Sequence, residues 1–242
     1  MTPFTKSRAH APPGFFAAEA RGLRWLNEAD GGPPLPDVID VSDTSITMTR
    51  IDEITPTTPA AVDFGRALAA MHRAGARSFG ADWPGFIGPL PLDNTRSDSW
   101  PQWYAEHRVL PYLRQAVELG TATTDDARTI ERACAHLPST TEPPARIHGD
   151  LWSGNVLWGA DGQCWLIDPA AHGGHRETDL AMLALFGTPY LDHILAAYDE
   201  IWPLADGWQH RVGLHQLHPL LVHAVLFGGS YAARAAAIAA RG

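Results

Sequence analysis

Cysteine is nearly absent from these 242 residues, and the two that occur, Cys134 and Cys164, have no spaced partners and make no disulfide framework. Positive charge is also short. The formal net charge is −9, with 18 Lys and Arg against 27 Asp and Glu, which argues against a nucleic-acid or anionic-membrane surface because such partners reward clustered cations. No apolar run approaches a membrane span, and the start MTPFTKSRAH lacks the apolar centre of a secretory signal. A reducing cytoplasm is the expected setting, no nucleic acid or membrane is expected as a partner, and any phosphate site has to be local.

What the chain has instead is apolar mass: 45% hydrophobic residues, nine Trp and only 19% charged residues describe one globular catalytic unit with a substantial core. A strand is expected from Phe4 to Ser7, then a loop with Pro12 and Pro13. Across residues 15–29 the apolar positions Phe16, Ala20, Leu23 and Leu26 follow helical spacing. Glu19 sits on that apolar face, where a carboxylate needs a cation. Residues 37–41 and 45–51 read as two strands around the turn Ser42-Asp43-Thr44. Residues 52–59, rich in Thr and Pro, read as a connector. Beyond it Ala61, Phe64, Leu68 and Met71 mark a helix ending near Gly75. Residues 80–95 read as a long Gly/Pro-rich loop, with helices over 99–119 and 125–137 behind it. Trp83, Phe86, Trp100 and Trp103 are candidate walls of a substrate pocket, although aromatics at these spacings are more often core.

The densest chemistry lies in residues 146–180, RIHGDLWSGNVLWGADGQCWLIDPAAHGGHRETDL. Residues 156–158 and 163–167 look like strands joined by the turn GADG. A hairpin returns its ends to one edge, so Asp150, Asn155 and Asp168 should converge. Two carboxylates and an amide are hard oxygen donors suited to Mg²⁺. After Asp168 a helix is expected from Thr178-Asp179, followed by three or four more from Tyr190 onward, one of them bearing His215, His218 and His223.

The order His148-Gly149-Asp150, Asn155, then Asp168-Pro169-Ala170 is similar to the catalytic loop and metal aspartate of protein kinases, in the variant used by small-molecule kinases of the aminoglycoside phosphotransferase type. HGDLWSGN closely resembles the signature of fructosamine-3-kinase and its ketosamine-kinase relatives. The segments DPAAHGGHRETDLAMLALFG, LHQLHPLLVHAVLFGGSY and FIGPLPLDNT extend the resemblance over most of the chain from Phe4 onward. It implies an α+β, protein-kinase-like fold with two lobes: a small antiparallel-sheet lobe at 1–51, a hinge at 52–59 and a mostly helical catalytic lobe at 60–242.

The resemblance also implies roles. Asp150 would be the base for a sugar hydroxyl, Asn155 and Asp168 the Mg²⁺ ligands, and Lys6 the phosphate grip, positioned by Glu19. The backbone from Thr49 to Ile51 would meet adenine, with Met48 behind it. Trp152 would face the substrate, while His148 and Asp179 would support the loop, Asp179 by accepting its backbone amides. The implied reaction is ATP-dependent, Mg²⁺-assisted phosphorylation of a ketosamine carried by a small molecule or a glycated amine, a repair of protein glycation. One departure stands out. Only five residues precede Lys6, so the glycine-rich hairpin that covers the nucleotide phosphates in these kinases is expected to be missing, through a displaced start, a fragment or a loss. Three alternatives stay open: an aminoglycoside-type phosphotransferase, a truncated pseudokinase, and a metallohydrolase built from His148, Asp150, Asp168, His172 and His175.

Overall fold

In the computed structural model, which describes residues 2–241, the chain begins as a three-stranded antiparallel sheet. β1 (Pro3–Ser7) and β2 (Val38–Val41) flank β3 (Ser45–Thr49). β3 is central because its alternation sends Ile46 and Met48 into the core. β1 pairs with it in a register that sets Phe4 opposite Met48 and Lys6 opposite Ile46. Between β1 and β2 runs α1 (Phe15–Asn27), entered through Gly14 at φ 78° and burying Phe16, Leu23 and Leu26. β3 stops at Thr49, short of the expected end at residue 51.

Residues 52–54 do not hang free as a connector. Ile54 N–H donates to Trp158 O and Ala160 N–H to Asp52 O, both at 2.8 Å, stitching the crossing to the catalytic hairpin. One apolar core runs through Phe16, Ile46, Leu68, Leu151 and Leu166, and a second, within the helical part, through Trp103, Tyr112, Leu217 and Leu220.

α2 (Thr58–Arg73) opens on a Thr57 side-chain cap and ends before Gly75, which turns with φ 72°. The expected loop at 80–95 contains a short hairpin, β4 (Gly85–Ile87) with β5 (Leu90–Leu92). Its Pro91 lies on a two-stranded unit where no ladder N–H is required of it. The expected single helix at 99–119 is α3 (Trp100–Tyr104), a π-helical turn (Ala105–Val109) and α4 (Leu110–Glu118). That turn re-aims Arg108 inward, where its guanidinium donates to Asp93 O at 2.5 Å and to Asn94 Oδ1 at 2.7 Å. α5 (Thr124–Ala135) carries a capping box between Thr123 and Asp126.

β6 (Ala145–Ile147) then enters the catalytic segment, with β7 (Val156–Trp158) and β8 (Cys164–Leu166) forming the anticipated hairpin. β6 pairs with β9 (His172–Gly174), so His172 is a strand residue. α6 (Glu177–Phe186), α7 (Leu191–Ile201), α8 (Trp208–Phe227) and α9 (Tyr231–Ala239) complete the chain. Pro219 lies inside α8. It cannot donate to His215 O four residues back, and the Tyr104 hydroxyl takes that place at 3.0 Å. Among the described residues no helix is long and apolar enough to cross a membrane.

Candidate active site

The hairpin of β7 and β8 brings its two flanks together because Ile167 N–H donates to Asn155 O at 3.1 Å. Asn155 Nδ2 donates to Asp150 O at 2.8 Å and to Asp150 Oδ2 at 3.2 Å. Both amide hydrogens are thereby used inward, and the Oδ1 atom is left for another partner. Asp168 follows in the left-handed region at φ 52°, a conformation that costs a non-glycine residue about 1 kcal/mol or more and that clusters at functional sites. From there its Oδ1 lies 2.9 Å from Lys6 Nζ. Lys6, the single lysine of the sequence, also donates to Glu19 Oε1 at 3.2 Å and Oε2 at 3.1 Å. Strand β1, helix α1 and the catalytic hairpin thus meet in one Glu19–Lys6–Asp168 chain.

The loop that carries Asp150 is built from within. Gly149 has φ 80°, and a Cβ there would sit 2.4 Å from Ala170 O, so both conformation and space demand glycine. Fully buried Asp179 accepts from His148 N at 2.7 Å and Gly149 N at 2.9 Å. His72 Nε2–H donates to the same carboxylate at 3.2 Å, while His72 Nδ1 accepts from the Tyr198 hydroxyl at 2.9 Å. His148 Nε2–H donates to Ile167 O at 2.8 Å and its Nδ1 accepts from Asp150 N at 3.2 Å. This is the neutral ring, in keeping with burial that lowers its pKa. Asp179 is therefore no helix cap: it lies in the first turn of α6 and holds the loop.

Electrostatics separate the carboxylates. Burial pushes Asp150 up to about 7, with the Asp168 and Asp179 charges adding and the Asn155 bond opposing. Burial also raises Glu19, partly offset by Lys6. For Lys6 burial works downward, but the Glu19 and Asp168 charges prevail and raise it. Burial alone would raise Asp179; its bond and charge interaction with His72 and the amide of Gly149 hold it below the usual value.

A cleft of about 230 Å³ opens over this set, lined by Lys6, Glu19, Asp150, Trp152, Asn155 and Asp168, with Phe15, Trp83 and Phe86 along its wall. Trp83 and Phe86 are placed as the sequence suggested. Trp100 and Trp103 are not: both are core residues, with Trp100 stacked on Tyr104 at 5.2 Å between centroids and Trp103 donating to Thr95 O at 2.7 Å. Phe15, next to the helix entry, is a wall residue that sequence reading passed over; its place directly before the buried Phe16 was the available signal. Thr49 and Ile51 lie outside the cleft lining, and the Thr49 amide already donates to Asp37 O at 3.0 Å. It is not free to meet a base.

The histidines do not gather around Asp150 and Asp168. His172 Nδ1–H donates to Ala170 O at 2.7 Å, and His175 lies with Glu177 and His215 in a separate buried group. There Glu177 is occupied by Arg211 at 2.9 and 2.5 Å. This dispersal removes the ligand set of a metallohydrolase centre. The hard oxygens that remain together are those of Asp168 and Asn155, a set that fits Mg²⁺.

Comparison with known proteins bears on the family and the fold. The sequence profile described as fructosamine kinase matches residues 2–241. A "Probable ketoamine kinase" of Enterococcus faecium is 33% identical over 94% of this chain and 83% of its own length. A "putative fructosamine-3-kinase" of Thermobifida fusca superposes with a TM-score of 0.93 at 54% identity, covering 99% of this chain and 84% of that one. The aminoglycoside phosphotransferase APH(2")-IIa, solved with gentamicin, superposes at 0.63 with 15% identity over 97% of this chain and 86% of its own, a likeness that speaks for the kinase-like α+β fold alone. The chain belongs to the fructosamine kinase family.

Proposed function

We propose that this cleft transfers the terminal phosphoryl group of ATP to a sugar hydroxyl of a ketosamine, a fructosamine or ribulosamine adduct on a small or glycated amine. The observation that carries the reading is the meeting of Asp150, Asn155, Asp168, Lys6 and Glu19 in one aromatic-walled cleft. Asp150 receives the hydroxyl proton as the substrate oxygen bonds to phosphorus and the ADP oxygen leaves. Asn155 fixes the Asp150 carboxylate in rotation through its Nδ2 bond. Lys6 holds phosphate oxygens, and Glu19 keeps the ammonium aimed into the cleft. Trp152, about two-fifths exposed at the rim, offers an aromatic face to the sugar ring. Asp168 and the Asn155 Oδ1 would hold Mg²⁺, which supplies positive charge to phosphate oxygens. The adenine contact is assigned to the hinge backbone between Thr49 and Ile51, beyond the lining of the small cleft.

Two measurements test this. In a side-by-side assay a ribulosamine or fructosamine shows ATP-dependent phosphate incorporation and aminoglycosides show little; the reverse preference assigns the chain an aminoglycoside-type reaction, and transfer to neither makes it a pseudokinase. For the metal, Asp168→Ala weakens nucleotide binding in the presence of Mg²⁺ by about tenfold or more by calorimetry, with circular dichroism unchanged, because the side chain lies outside the apolar core. Parent-like, Mg²⁺-dependent affinity in that variant removes Asp168 from the ligand set.

A further inference from the structure

Beside the cleft lies a second, larger cavity of about 840 Å³, and its lining includes five of the chain's seventeen arginines: Arg21, Arg24, Arg77, Arg96 and Arg146. In a chain of net charge −9 this is a concentrated cationic surface, and only two carboxylates, Glu28 and Asp82, line it as well. Those two are taken. Asp82 pairs with Arg96, and Glu28 lies 3.6 Å from Arg146. Arg21, Arg24 and Arg77 have no carboxylate in ion-pair reach among the described residues.

The floor of this cavity is built. Arg146 lies over the Trp25 ring at 4.5 Å, Trp25 meets Trp83 edge-on at 5.4 Å, and Arg21 lies over Trp83 at 4.7 Å. Alternating cations and aromatic faces hold the guanidinium planes in fixed directions. Trp83 is anchored by its carbonyl, which accepts from buried Asn94 at 3.1 Å, and Asn94 in turn accepts from Arg108. Trp83 lines both the small cleft and the arginine cavity, so the two adjoin across one indole.

Taking the ketosamine reading above as given, we propose that this cavity is the subsite for the amine portion of the substrate and that it selects amine portions bearing anionic groups, carboxylate or phosphate, such as a glycated acidic peptide. Guanidinium planes suit both anions through paired N–H donors. The cleft measures about 230 Å³, whereas the arginine cavity, at about 840 Å³, accommodates several residues of peptide.

The test uses three lysine peptides glycated on the side-chain amine, alike except that one carries two glutamates, one two glutamines and one a phosphoserine. The parent phosphorylates the glutamate or phosphoserine peptide with a KM about tenfold below that of the glutamine peptide, and the difference shrinks as salt is raised. The variant R24Q/R77Q, which touches neither the small cleft nor the Arg21–Trp83 contact at its wall, loses that preference while kcat and the KM of the glutamine peptide stay as in the parent. Equal KM for all three peptides in the parent, or an equal rise for all three in the variant, overturns the proposal while leaving the ketosamine reaction intact. If no peptide is phosphorylated, the reaction assignment fails and the subsite is read by calorimetry with the unglycated glutamate and glutamine peptides. Binding of the glutamate peptide alone, abolished in R24Q/R77Q, supports the subsite, and equal or absent binding overturns it.

Discussion

Asp150→Asn lowers kcat by about 10²- to 10⁴-fold with little change in nucleotide affinity, the range expected when a general base is removed. The amide keeps the size of the carboxylate and can still accept from Asn155, which now donates to Asp150 Oδ2 at 3.2 Å, so the loss falls on proton transfer and not on the loop. The same residue sets a pH dependence. Its carboxyl is pushed up to about 7, by burial first and then by the charges of Asp168 and Asp179, so the fraction of base in its working form falls as pH drops through that region. A bound cation nearby would draw this limb to lower pH. The stability sign is opposite. The folded value lies above the unfolded one, so the neutral form's contribution is complete below about pH 4 and is lost as pH rises through about 7. The asparagine variant escapes that loss, and its melting temperature relative to the parent should rise between about pH 5 and about pH 8. Parent-like turnover in the variant would falsify the base assignment, and a pH-independent melting difference would show that Asp150 is not held under that strain.

Asp179→Ala destabilises the protein by about 3–5 kcal/mol, the cost of removing one partner from a buried charged hydrogen-bond set. The carboxylate is fully buried and accepts from the backbone of His148 and Gly149 and from the His72 ring; without it two amides and an imidazole face a dry cavity. Asp179→Asn is no remedy, because one of its two terminal atoms becomes a donor facing another donor. Since this carboxyl is held below its ordinary value, its contribution is present above about pH 4 and lost only as pH falls through the lowered folded value. Urea unfolding at neutral pH measures the effect, and a loss under about 1 kcal/mol would show that water or a rearranged loop replaces the carboxylate. Activity should fall alongside stability, because Gly149 at φ 80° loses the acceptor that fixes its amide next to Asp150.

The candidate site was legible where its parts are near in sequence. Asp150, Asn155 and Asp168 are joined by a hairpin whose strands announce themselves by β-branched and aromatic residues around a glycine turn, and the observed pairing of Val156 with Leu166 follows from that. Glu19 stood out as a carboxylate on an apolar helix face, which demands a cation, and the resemblance to kinases, with their strand lysine and next-helix glutamate, pointed to Lys6, 13 residues away. The pairing of β6 with β9 was illegible: three residues of each strand meet across the whole catalytic loop, and His172-Gly173-Gly174 has little of the composition by which strands are recognised. The hairpin at 85–92 was hidden by its two glycines and two prolines for the same reason.

What the sequence determined by itself was the family-like motif order, the apolar stripe of α1, the catalytic hairpin and the identity of the groups that meet at it, because local spacing fixes which side chains share a face or an edge. Tertiary structure alone decided which aromatics serve the cleft, with Trp83 and Phe86 on its wall and Trp100 and Trp103 in the core, since helical spacing says nothing about what a face is packed against. It also decided that His72, 107 residues before Asp179, completes the brace under the catalytic loop, and that arginines from α1, the segment after α2, the stretch after β5 and strand β6 converge on one cavity. Such meetings depend on how separate elements pack into a common core, and that is set by the sum of many weak apolar contacts rather than by any residue's neighbours in the chain.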